Sequence, residues 1–574
     1  MQGKALLHYG LVLMLMTPPV ALSATPGDPA ISALQSKEQF QHQQQQQKAR
    51  EARLAAEAPD IRIPLTVAPS SHLVFPQESP CFMIHRVTLT GNDALPHWLP
   101  LQRLANQAVG HCLGVQGINT VIGALQNRII EHGWVTTRVL APQQELREGE
   151  LKLLVVPGRN RHVALTPDSG RYVSLWPAMP AHEGNLLDLR DIEQGLENLQ
   201  RLPTVEARME LQPGEAPGES DIIIQRVQSR FWRVGAWVDD TGTESTGRYQ
   251  GGVMLALDNP ASLSDLFYVT ASRDLGFAGR KSSKNFSGHY SVPFGYWALG
   301  LTASDYTYSR TIAGRNADIL YSGKSHALDV QLSRVLHRGA TSKTSVTWDV
   351  TLRETHNFIE DVEVENQRRR TSVWQLGLEH NHHIGPATLD ASVSYQRGTR
   401  WFGAQPAWEE EVDDETYATA LSKILTWDAS LTMPFALWSQ DFSWTTQYHR
   451  QMSDTPLTPQ EEFSIGNRWT VRGFDGERTL SASRGWTLQN TLGWSTPVPA
   501  QELYLGADYG EVGGNSSTNA ELSGQHLAGG VLGLRGAIER ARLSYDLFSG
   551  IPLSKPPGFK TDPVTFGFSL NWNY

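Results

Sequence analysis

From about residue 230 to the C-terminus, apolar and polar side chains alternate, and this period of two most limits what the chain can fold into. In "SVTWDVTLR", Val346, Trp348, Val350 and Leu352 alternate with Ser345, Thr347, Asp349, Thr351 and Arg353. The terminal "VTFGFSLNWNY" sets Val564, Phe566, Phe568, Leu570, Trp572 and Tyr574 against Thr565, Gly567, Ser569, Asn571 and Asn573. One face suits lipid and the other suits water, which is the signature of a transmembrane β-barrel. A soluble sandwich would bury its aromatic face and would not end the chain on one. Roughly 340 residues, at about 10 per strand plus turns and loops, accommodate about 16 strands. An even number puts both barrel ends on the same side.

No run of about 18 apolar residues occurs, so helical membrane spans are excluded. The N-terminus has Lys4, an apolar stretch over 5–16 and the small residues Ala21, Ser23 and Ala24, the layout of a cleaved signal peptide over 1–24. An anchoring helix is the alternative, but His8 interrupts a stretch that is already short for a span. Export bears on the only two cysteines, Cys81 and Cys112. They either form the single available disulfide, closing a loop worth ~3–4 kcal/mol, or stay as two buried thiols. The net charge of −10 gives no basic bias toward nucleic acid.

Between leader and barrel, residues 30–58 lack Gly and Pro and favour helix. Ile31, Leu34, Phe40 and Leu54 are too sparse for a core-facing stripe, so such a helix belongs in water or a polar cavity; a disordered tail is the other reading. A proline-marked linker follows. Residues 81–157 read as β-α-α-β-β, with glycine stops at Gly110 and Gly133. In the next unit "LDLRDIEQGLENLQRLP" places Leu189, Ile192, Leu196 and Leu199 on one helix face, ahead of two strands. Two such modules in tandem each leave a sheet edge exposed.

"RWTVRGFDGERT" (468–479) lies in a connection of roughly 30 residues, a length that is usually functional or disordered. Phe463, Ile465, Trp469, Val471 and Phe474 argue against disorder, so the loop is expected to fold inward. A confined Arg472 then needs an anion. In "LYLGADYGEV" the alternation turns Asp508 into the lumen between Gly506 and Gly510, which clear space for an approaching loop. The expectation is an Arg472–Asp508 pair; the alternative is a surface turn and a lumen carboxylate that never meet.

"SIGNRWTVRGFDGE" (464–477) resembles the lumenal-loop motif of two-partner secretion (TpsB) transporters, and "LGADYG" (505–510) their inward-Asp strand. The helix-plus-"PGEAPGESDIII" stretch is similar to their second POTRA module, and "HYSVPFGYW" (289–297) to their early barrel strands. The first module resembles the haemolysin-activator and contact-dependent-inhibition (CdiB-like) branch.

The resemblance implies a mainly β protein: a 16-stranded outer-membrane barrel preceded by a plug helix and two periplasmic βααββ (POTRA) modules. The organisation it implies is signal peptide 1–24, plug helix 25–58, linker 59–80, modules 81–157 and 158–229, and barrel 230–574 with a lumenal loop over 455–485. In this scheme Arg472 and Asp508 lock the loop, Val471, Gly473, Phe474 and Gly476 form its tip, and Gly506 and Gly510 give clearance. The implied partners are one large secreted exoprotein (cytolysin, growth-inhibition toxin or adhesin) and outer-membrane lipid, with the barrel monomeric. An insertase of the same superfamily is the alternative; it usually has more modules and no plug. No nucleotide-binding "GxxxxGK[ST]" occurs, and no catalytic residue, cofactor, metal or defined cargo-binding residue is assigned. His380–His383 is expected as a solvated turn, "WEEEVDDE" (408–415) as an acidic outer loop and Gln43–Gln47 as a helix spacer.

Overall fold

The computed structural model describes residues 41–51, 60–64, 72–276, 281–313, 318–407, 410, 418–514 and 525–574. The expected signal peptide lies outside the described residues, as does "WEEEVDDE" except for Glu410. No helix among the described residues is long and apolar enough to cross a membrane. Crossing is by strands: sixteen, from Trp232–Asp239 to Thr565–Asn573, pair antiparallel in sequence order and close into a barrel. A two-residue strand, Val362–Glu363, only extends the tip of Ser342–Ile359. The alternation sets the faces. Trp348, Leu376, Leu505 and Phe566 are exposed outward, while Thr347, Asp508 and Thr565 are buried inward. The closing seam is short: Gly235–Asp239 meets Ser569–Asn573 over five residue pairs, against seventeen between Trp297–Ala313 and Asp318–Arg338.

In the first module, helices Leu101–Ala105 and Val115–Glu131 cover a sheet ordered Arg86–Thr90, Glu150–Val156, Arg138–Leu140. Val121, Leu125 and Ile129, at helical spacing, pack with Leu151 and Leu153, at strand spacing, so both periods supply one core. Cys81 and Cys112 are disulfide-bonded and join the short strands Phe82–Met83 and Cys112–Leu113. The Glu78 carboxylate closes the N-terminus of the long helix, accepting from the Gly114, Gln116 and Gly117 amides at 3.1, 2.7 and 2.6 Å. A Cβ on Gly114 would fall 2.6 Å from that carboxylate, which explains the glycine.

The second module contains a strand, Arg159–Leu165, and a short helix, Leu175–Ala178, that the sequence reading did not single out. "RNRHVAL" is too polar to look like a strand. It pairs parallel to Glu219–Gln228, and Arg161 reaches Asp221 in bidentate fashion at 2.9 and 2.5 Å. Val205–Pro213 occupies the other side of that central strand and is a sheet edge among the described residues.

Helix Leu189–Gln200 puts Leu189, Ile192, Leu196 and Leu199 into the core as its periodicity requires. Its polar face is buried as well, because it lies on the turns at the module-facing rim of the barrel. Tyr296 donates to Asp191 at 2.6 Å, and Asn198 donates to the Gly295 carbonyl at 2.7 Å. Arg338 donates to Glu197 at 2.7 Å, to Gln194 at 3.0 Å and to the carbonyl of Ile61 at 2.6 Å. Lys343 and Arg190 add contacts to Glu197 and Glu193 at 2.9 and 2.8 Å. Residues 60–63 of the linker are wedged into the same seam: the Ile63 amide donates to Glu193, and Arg62 donates to Asn381.

Asp188 caps this helix, accepting from the Arg190 amide at 2.8 Å. It sits at the junction of the modules, where the Leu189 amide donates to the Gly133 carbonyl. Burial raises its carboxyl from 3.8 to about 6; the Arg190 amide and guanidinium oppose the rise, and Asp191 and Glu193 add to it. A folded-state value above the unfolded one means stability that is full below about 3.8 and is lost as pH rises through about 6. Asp188→Asn keeps the cap and removes the ionisation. We expect helix Leu189–Gln200 of the intact protein to lose hydrogen-exchange protection as pH rises from about 4 to about 6.5, and the variant to lose little. At pH 7.5 the variant should be more stable by about 2 kcal/mol. Equal pH slopes in the two proteins would refute the assignment.

Candidate functional site: an inward loop and a lumenal helix

The connection between strands Gln440–Ser453 and Arg484–Ser495 folds into the barrel, where Phe463–Ile465 and Leu480–Ala482 pair as a small hairpin. Val471 and Phe474 at its tip are buried with Phe463, Ile465, Leu480, Val512, Leu527 and Phe559. This apolar cluster inside a polar lumen supplies the burial that holds the loop inward. The guanidinium of Arg472 meets Asp508 side-on: Nε to Oδ2 is 2.7 Å and Nη2 to Oδ1 is 2.7 Å. The Arg472 amide also donates to Oδ2 at 2.9 Å, and Nη2 reaches Thr491 Oγ1 at 3.0 Å. The Asp508 side chain is fully buried, so its charge depends on these donors.

Glycines make the seat. A Cβ on Gly506 would lie 2.7 Å from Arg472 Nη2, and one on Gly510 would lie 2.8 Å from Val471. Two further clearances, at Gly529 and Gly550, were not anticipated. A Cβ on Gly529 would run into the Arg472 carbonyl, and one on Gly550 would sit 2.7 Å from the Cα of Gly473. The one signal for them in the sequence was their inward parity in the two strands that follow the Asp508 strand. Gly473 has φ 103° and Gly476 φ 81°, left-handed conformations in which a side chain is strained.

A second anchor was also missed. Arg468 forms an ion pair with Asp240 and lies over the Phe548 ring, 5.0 Å from its centroid. Asp240 accepts from the Phe568 amide at 2.9 Å, so the loop is tied to the short closing seam. Glu477 contributes there too, accepting from the Glu244 amide at 2.7 Å.

Of the expected polar helix, residues 41–51 are described, and they are helical and inside the lumen. Gln41 donates to the carbonyls of Pro459 and Glu462 at 2.9 and 3.1 Å, and Asn467 donates to Gln45 at 2.6 Å. Gln46 reaches Thr241 at 2.6 Å, Arg50 reaches Ser272 at 3.0 Å, and His42 packs edge-on against Trp469. The glutamine run, expected to be a mere spacer, therefore bonds the loop and the wall.

Two other expectations change. His380–His383 is no solvated turn: it belongs to strand Arg369–Ile384, with His380 against Thr344 and His383 against Asp60 at 2.9 Å each. No metal-ligand cluster is found among the described residues. Glu410, the described part of the acidic loop, is engaged rather than free, pairing with Arg400 and accepting from Thr419 at 3.0 Å.

Residues 218–536 match the haemolysin secretion/activation protein family ShlB/FhaC/HecB. Residues 82–158 match the ShlB-type POTRA domain, and 161–213 match a POTRA domain. The chain is 34% identical over 576 residues to the outer membrane transporter CdiB-2 of Burkholderia pseudomallei, covering 97% of each. It is 26% identical to the hemolysin transporter protein ShlB of Serratia marcescens, over 76% of this chain and 77% of that one. Among solved structures, CdiB from Escherichia coli superposes with a TM-score of 0.84 at 27% identity, over 96% of this chain and all of that one.

Proposed function

Given that this chain belongs to the ShlB/FhaC/HecB family and is an outer-membrane transporter of the two-partner secretion type, we propose that it exports one large, unfolded exoprotein through its barrel without nucleotide hydrolysis. The helix is the removable plug and the loop is the fixed lock. The observation that carries this reading is the contrast between their attachments. Gln41, Gln45 and Gln46 hold the helix through hydrogen bonds between neutral groups, each worth ~0.5–1.5 kcal/mol net. The loop is held by a buried bidentate ion pair, which is stronger and more directional.

The free edge of Val205–Pro213 suits an arriving unfolded chain, which can add to it as a strand through main-chain hydrogen bonds. The chain then threads the lumen once the helix has left, and its folding outside biases the movement. The test is to look in the neighbouring reading frame for a very large exported protein and to co-express it with this chain. The exoprotein should appear in the medium only when this transporter is present; accumulation of other barrel proteins in unfolded form on its removal would instead indicate an insertase.

A further inference from the structure

The second module carries two large aromatic side chains that its own core does not use. Tyr172 is 62% exposed and Trp176 is 70% exposed, while Val173 and Leu175 between them pack into the module core. The main chain of this segment is bonded to the barrel. The Tyr172 carbonyl accepts from Asn259 at 2.6 Å, the Ser174 amide donates to Ser262 at 3.1 Å, and the Pro177 carbonyl accepts from Gly295 at 2.7 Å. Position and direction are therefore set.

Both rings continue the outer surface of the barrel. Trp176 meets Phe294 edge-on at 4.8 Å, and Tyr172 meets Phe231 edge-on at 5.6 Å. Phe294 ends a strand on its outward face and is paired with Trp297, over which Arg334 lies at 4.9 Å. Further round the same rim Trp232 stacks on Tyr574 at 5.7 Å, and Arg230 and Arg542 flank that ring at 4.9 and 4.2 Å. Aromatic rings interleaved with arginine at the end of a barrel form a membrane-interface girdle. The Trp176–Phe294 and Tyr172–Phe231 contacts carry this girdle from the barrel onto the module.

We propose that Tyr172 and Trp176, with the exposed Arg171 beside them, form a foot that rests in the headgroup layer of the periplasmic leaflet and binds phospholipid. The amphipathic rings sit at the level of the glycerol esters, and the guanidinium pairs with headgroup phosphate. The contact fixes the tilt of the second module beneath the pore and adds a lipid-borne support to the polar seam around Arg338. It rests on the outer-membrane location and does not depend on how the cargo is moved.

The test uses the full chain in nanodiscs of phosphatidylethanolamine and phosphatidylglycerol. Photoreactive benzoylphenylalanine replaces Trp176 or, as the reference, Trp98, which is 64% exposed on the first module. Both sites are at the surface, and only protein migrating as folded barrel is scored. Lipid adducts at position 176 at least fivefold above those at position 98 are expected. Equal labelling at the two positions overturns the proposal. So does labelling at position 176 that yields only protein–protein adducts when the exoprotein is added, which would assign the aromatics to cargo.

Discussion

Arg472→Ala leaves the barrel folded in the outer membrane and lowers the exoprotein in the medium at least tenfold. The substitution strips Asp508, whose side chain is fully buried, of three of its hydrogen bonds' geometry: the two from the guanidinium vanish, and the one from the amide loses its positioning. Breaking a buried pair in this way costs about 3–5 kcal/mol. The cost falls on the loop and not on the wall, because the strand bearing Asp508 keeps its ladder with both neighbours. Freed of its lock, the loop leaves its glycine seat and takes with it the contacts from Asn467 and Pro459 to the helix. Arg472→Lys should recover only a fraction of export, since an ammonium cannot span both carboxylate oxygens and Thr491 in one plane. Heat-modifiable migration reports the barrel and an immunoblot of the medium reports export. Normal export by a correctly inserted Arg472→Ala protein would remove the lock from the account.

Arg338→Ala acts at the other end of the molecule and should uncouple the second module from the pore. One guanidinium, 2% exposed at the end of barrel strand Asp318–Arg338, there contacts helix Leu189–Gln200 and the linker at once. Its loss leaves Glu197 with Lys343 alone and the Ile61 carbonyl without its donor. At about 3 kcal/mol or more for such an uncompensated buried group, hydrogen-exchange protection of helix Leu189–Gln200 should fall roughly a hundredfold. Protease cleavage near residues 60–64 should rise, while barrel migration stays unchanged. Protection that survives the substitution would mean that the apolar face alone holds the module in place.

What was legible in the sequence was whatever a period or a parity encodes. Alternation gave the barrel and its faces, helical spacing gave the cores of both modules, and the parity of one strand turned Asp508 inward toward a loop whose apolar residues could not remain in water. What escaped was set by packing between elements. Arg159–Leu165 reads as polar because it is completed by a parallel neighbour and an Arg161–Asp221 pair. The polar face of helix Leu189–Gln200 looks like a solvated surface until the barrel turns are placed against it. Gly529 and Gly550 look like ordinary strand glycines until the loop has a position in space. Arg468 and Asp240, 228 residues apart, carry no local signal that they meet.

The wedge at residues 60–63 sets a length. Helix 41–51 and the wedge are separated by residues 52–59, which even fully extended reach about 30 Å. A helix that left the lumen would thus stay on a leash ending at the mouth of the pore. Its effective concentration there would be on the order of millimolar, so re-entry after each passage would be an intramolecular event, faster than any encounter with a free molecule. Resealing would then need no separate closing factor: the same few glutamines would find the same wall again as soon as the cargo had gone.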